Sequence, residues 1–195
     1  AWVRDDTQGI GTMTYVDMNG CFGALGHGIS DSDTGALVDI DGGELYETQI
    51  LGIEKGQTGK PGVMSGVIYY GKGTKLGYGT VNRHFLDSLQ ADAIPIGFRQ
   101  DIQRGRAYIR SKVSGEVKDY EIEIQKVDYG SVQKNKGLVL KVVDEDLLNL
   151  TGGIVQGMSG SPIIQDGKLI GAVTHVFIND PTRGYGIFME NMLGH

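Results

Sequence analysis

Glycine recurs through almost the whole chain, 32 times in 195 residues, with only four prolines beside it. This is about twice the usual share of roughly 7%. The glycines neither repeat with a fixed period, as in collagen, nor cluster, as in a flexible linker. They act instead as punctuation, closing short β-branched and aromatic runs with turns. Such runs span residues 10–16, 37–40, 44–53, 63–70, 91–97, 102–112, 118–127, 138–143, 161–164, 169–177 and 186–190. The run from Tyr120 to Val127 alternates apolar and polar residues, as an antiparallel strand with one wet face does. Helical spacing is confined to residues 83–90, 145–151 and the last few. Many short strands and few helices predict an all-β sandwich or barrel.

The length allows one domain or two small barrels that share an interface. Pro95 and Gly97 interrupt the apolar pattern, so the expected division is a first barrel over residues 1–95 and a second over 96–195. A net charge of −6 argues against nucleic acid as the main partner, because phosphate binding needs a positive field. Arg104, Arg106 and Arg110 alternate with Tyr108 and Ile109, which marks the polar face of a strand and not a basic stripe. No run approaches the roughly 20 apolar residues that cross a bilayer, and no signal peptide opens the chain. Cys21, the single cysteine, excludes an internal disulfide and is expected to be a small buried residue. With His27, His84, His175 and His195 it forms no ligand pair at HExxH or CxxC spacing, so neither metal nor organic cofactor is expected.

The chemistry concentrates in Gly157-Met158-Ser159-Gly160-Ser161-Pro162. A serine flanked by glycines leaves room for a carbonyl to approach its hydroxyl, and the glycines let the backbone turn N–H groups toward a developing oxyanion. The same string also suits an ordinary turn between strands. Gly26-His27-Gly28 supplies a histidine at the end of a strand-like run and between glycines, where substrate can reach it. A base of this kind is what a nucleophilic serine requires. Ser161 is the rival nucleophile. His84 and His195 have no partner pattern and are expected to face solvent. His175, on the alternating run after the serine, either lines a substrate groove or is a hydrogen-bonded structural residue.

The blocks 9–15, 22–29, 152–162 and 171–181, in this order, resemble the peptidase domain of the stage IV sporulation protein B family over essentially the whole chain. The resemblance implies a trypsin-like serine peptidase of endospore-forming bacteria, with a double β-barrel fold. It implies secretion from the forespore into the space between its two membranes, and cleavage both of itself and of a membrane-bound regulator of sigma-factor processing. Family members carry a membrane-inserting segment and a PDZ domain ahead of the peptidase. Neither is expected within these 195 residues, which read as the catalytic part.

Carried over by resemblance, the triad falls on His27 as base, Asp144 as orienting acid and Ser159 as nucleophile, with Gly157 and Ser159 N–H groups as the oxyanion hole. His175 and Thr174 would lie along the bound peptide. Residue chemistry alone leaves Asp144 open, because an aspartate ahead of Glu145-Asp146-Leu147-Leu148 is also a good helix N-cap. Asp101, Asp128 and Asp180 are the substitute acids. No acidic residue marks the expected side-chain pocket, so a demand for Lys or Arg is not expected. Two other functions fit the same residues: a non-catalytic peptide-binding module on a peptidase fold, and an esterase using the same serine. The second lacks the Gly-x-Ser-x-Gly elbow of α/β-hydrolases.

Overall fold

The computed structural model of the chain describes residues 9–26, 44–75, 78–80 and 92–194. Twelve strands are present among them: β1 Gly11–Val16, β2 Cys21–Gly26, β3 Glu44–Glu54, β4 Gly62–Lys75, β5 Tyr78–Thr80, β6 Gly105–Ser111, β7 Lys118–Val127, β8 Leu138–Val142, β9 Val155–Gln156, β10 Pro162–Gln165, β11 Lys168–Phe177 and β12 Asp180–Phe188. Two short α-helices, α1 Glu145–Thr151 and α2 Met189–Leu193, complete them. The fold is all-β, as the glycine-punctuated runs predict.

The second half forms a closed barrel in the order β10-β11-β12-β8-β7-β6. Period-two alternation builds its core. Tyr120, Ile122 and Ile124 of β7 point inward with Ala107 and Ile109 of β6, Leu138 and Leu140 of β8 and Ile163 of β10, all of them buried. The intervening residues form the wet face, where the Arg110 guanidinium grips both Asp119 carboxylate oxygens at 2.7 Å across the β6/β7 pair. The sheet closes on itself, and the buried Leu147 of α1 packs into the same core.

The described part of the first half contains two three-stranded sheets, β1-β2-β5 and β3-β4-β9. Strand β9 joins the halves. It lies just before the serine motif, yet pairs in parallel with the start of β4 through Gly62↔Val155 and Val63↔Gln156. Gly62 permits this approach, because a Cβ there would fall 2.6 Å from the Val155 side chain.

Most expected strands occur with ends shifted by a few residues. The run 91–97 differs, for it contributes only a bridge from Ile96 to Leu169. Its Pro95 lacks an N–H for a ladder, but the Pro95 carbonyl does accept from Leu169 N–H at 2.8 Å. The expected strand at 37–40 and helix at 83–90 lie outside the described residues. Cys21 is exposed and not buried: it opens β2 beside the Asp17–Gly20 turn, where its N–H donates to Asp17 Oδ1 at 2.7 Å. The next residue, Phe22, takes the buried face instead.

Candidate active site

Ser159 lies where the chain passes from β9 into β10. Gly157 and Gly160 on either side have φ of 108° and 90°, values that glycine adopts without strain. Between them the chain makes a tight turn in which Ser161 N–H donates to Met158 O at 2.9 Å and Met158 N–H to Val155 O at 3.1 Å. Gly160 N–H donates to Val173 O at 2.8 Å, which seats the turn on β11. Among the described residues, the Ser159 N–H alone of residues 158–161 has no acceptor. Its peptide carbonyl, that of Met158, is held inside the turn by Ser161 N–H, so the N–H of the same plane points the opposite way.

The half-exposed Ser159 hydroxyl donates to the Thr174 carbonyl at 2.8 Å. The β11/β12 register slips between Val173 and Val176, a bulge that turns this carbonyl out of the ladder. Strand β10 accompanies β11 only as far as Ala172, so beyond Val173 the outer edge of β11 has no strand beside it among the described residues. His175 follows on this open edge. Desolvation by its neighbours, and then the Lys136 ammonium, push its imidazole below the ordinary histidine value. Thr174 Oγ1 donates to Asn135 O at 2.7 Å, fixing the bulge to the loop ahead of β8.

Buried Ile154 fills the space of a side chain at Gly184, its Cδ1 lying 2.7 Å from where a Cβ would stand. Ser161 faces inward, with its hydroxyl buried and unpaired among the described residues. Thus the two serines of the motif are separated by environment: one beside an open strand edge, the other sealed.

Asp144 is the N-cap of α1. Its Oδ1 accepts from Leu147 N–H at 2.9 Å and its Oδ2 from Glu121 N–H at 3.1 Å. It thereby ties the start of α1 to β7, whose Glu121 carbonyl also accepts from Asp144 N–H at 3.1 Å. The substitute acids are also engaged: Asp101 with Lys168 at 3.8 Å, Asp128 with Lys126 at 2.8 Å, and Asp180 with the Thr182 hydroxyl at 2.6 Å. His27, His84 and His195 lie outside the described residues; His27 directly follows β2, whose Leu25 backbone approaches Gly160. The hydroxyls of Thr12 and Thr14, which touch the serine turn, have no sequence signature beyond their place on alternate positions of a strand.

Among the described residues no cluster of His, Cys, Asp or Glu is arranged to hold a metal, and no helix is long and apolar enough to cross a membrane. No curated protein and no solved structure matches the chain. A family model described as SpoIVB peptidase S55 matches residues 1–193. With a trypsin-like all-β fold and a match over nearly its full length, the chain belongs to the SpoIVB peptidase S55 family.

Proposed function

We propose that this chain is a serine endopeptidase acting through an acyl-enzyme, with Ser159 as nucleophile and His27 as base. The observation that carries this reading is the Ser159 turn itself, with a hydroxyl beside the edge of β11 and its own N–H without an acceptor among the described residues. In the reaction the Ser159 hydroxyl leaves the Thr174 carbonyl and gives its proton to His27 as Oγ attacks the scissile carbonyl carbon. The resulting oxyanion is held by N–H groups of Ser159 and Gly157. His27 then protonates the leaving amine as the C–N bond breaks, and water repeats the sequence to release the acid.

The unpaired edge of β11 from Thr174 onward suits an extended peptide, which would add as a strand beside His175. The residues before Gly157 and along Thr174 to Asn179 are mostly neutral, which disfavours a demand for Lys or Arg before the cleaved bond. A cleavage profile dominated by basic residues would overturn this specificity. The resemblance gives Asp144 to the triad, but its contacts favour another role. Both carboxylate oxygens already accept backbone N–H groups, of Leu147 and of Glu121, and the kinetics of Asp144→Asn test the triad role against the anchoring one. We assign Asp144 to anchoring α1, the helix that leads into the serine turn.

Family membership places the peptidase in sporulation. We further propose self-cleavage and cleavage of a membrane-bound regulator of sigma-factor processing, carried out on the far side of the forespore membrane. The test is labelling by a serine-reactive phosphonate alongside peptide hydrolysis. Wild type and Ser161→Ala are expected to label and cleave, whereas Ser159→Ala and His27→Ala should not cleave. A wild type that binds peptides without labelling or turnover would favour a peptide-binding module. Faster turnover of simple esters than of every peptide tested would favour an esterase.

A further inference from the structure

Strand β1 belongs to the other half of the chain, yet it holds most of the serine turn's carbonyls. Thr12 N–H donates to Ser159 O at 2.9 Å. Thr12 Oγ1 donates to Gly157 O at 3.1 Å, and Thr14 Oγ1 to Gly160 O at 2.7 Å. Residues 12 and 14 share a face because side chains alternate along a strand. Met13, on the other face, packs with the buried Phe22 and Ala24 of β2. The contact is close: a Cβ at Gly160 would overlap the Thr12 carbonyl and lie 3.0 Å from both Leu25 N and O.

These bonds complete the fixing of the turn. With Met158 O taken by Ser161 N–H, every carbonyl from Gly157 to Gly160 has a donor. A peptide plane held by its carbonyl has its N–H direction fixed as well, so pinned carbonyls are a way to preorganise donors that must await an oxyanion. The Ser159 N–H depends on the orientation of the Met158–Ser159 plane, and Thr12 grips the chain on both sides of that plane, at Gly157 and at Ser159.

We propose that Thr12 and Thr14 are positioning residues for the oxyanion hole, so that the rate of acylation depends on β1 being docked while substrate affinity does not. This rests on the serine-peptidase reading above. Losing the Thr12 hydroxyl leaves Gly157 O without its donor and lets the turn populate orientations in which the N–H points elsewhere. Peptide binding along β11 uses a different edge and is unaffected.

The test compares Thr12→Ser with Thr12→Ala, which differ only by the hydroxyl, and Thr14→Ser with Thr14→Ala, on the full chain. Each is assayed below its melting transition and normalised to folded protein by circular dichroism. Thr12→Ala is expected to lose up to about tenfold in kcat and in the limiting rate of phosphonate inactivation, with KM unchanged, since one hydrogen bond is worth up to roughly a factor of ten. Thr12→Ser should restore most of the loss. If Thr14→Ala, whose native hydroxyl is buried, does not fold, the Thr12 pair decides alone. Equal kcat for Thr12→Ser and Thr12→Ala overturns the proposal, as does a loss confined to KM. A wild type that the phosphonate does not label overturns the serine-peptidase reading on which it rests.

Discussion

Replacing Asp144 separates two roles that the sequence leaves superimposed. In Asp144→Ala the cap of α1 goes, at about 1 kcal/mol, and the Glu121 N–H loses its acceptor on the barrel seam, at about 1–2 kcal/mol more. The sum of about 2–3 kcal/mol corresponds to roughly 5–10 °C in Tm for a chain of this size. Asp144→Asn keeps an oxygen for Leu147 N–H but turns an amide toward Glu121, so the expected loss is about 1 kcal/mol, or roughly 2–4 °C. Peptide hydrolysis well below both transitions, normalised to folded protein, then reads catalysis alone. With Asp144 as anchor, both variants should stay within about tenfold of wild type in kcat. Loss of a triad acid costs about 10⁴, even when Asn keeps the geometry. An Asp144→Asn protein that melts within a few degrees of wild type but cleaves a thousandfold more slowly would refute a purely anchoring role and place Asp144 in the triad.

Ser161→Ala removes a hydroxyl that is buried with no partner among the described residues, so it should leave cleavage intact and change stability by less than about 1 kcal/mol, in either direction, by thermal melt. A large loss of activity would mean that this hydroxyl reaches the reacting atoms. His175 is held below its unfolded value of 6.5, so as pH falls through 6.5 the unfolded state takes up the proton first. Stability is therefore lost from about pH 6.5 down to the folded value. His175→Gln should narrow or reverse any Tm deficit relative to wild type between pH 7.5 and 5.5, and a pH-independent difference would refute the shift.

Much of the fold can be read locally. Strands such as 118–127 announce themselves because one face is wet and the other is core, and α1 because an aspartate precedes a Leu-containing turn. Strand β9 cannot be read in this way. It is two residues long and exists because Gly62 of a distant hairpin allows close approach, a cause not contained in Val155 or Gln156. Cys21 misleads for a similar reason: its own chemistry favours burial, but the Asp17–Gly20 turn sets the phase of β2 and gives the inner face to Phe22.

The candidate site divides along the same line. The glycines of 157–161 reveal a tight turn around Ser159 because its backbone conformations, with φ of 108° and 90° at Gly157 and Gly160, select glycine directly. What holds that turn is a pair of threonines more than 140 residues away, and threonine on a strand is ordinary. Asp144 shows the converse, since one residue type serves equally as triad acid and as helix cap, and the sequence around it fits both. Residues whose backbone or chemistry is unusual can be found from sequence, whereas those that act by where another element brings them cannot. For that reason Thr12 and Asp144, and not Ser159, are the positions where mutation will teach most about how this peptidase is assembled.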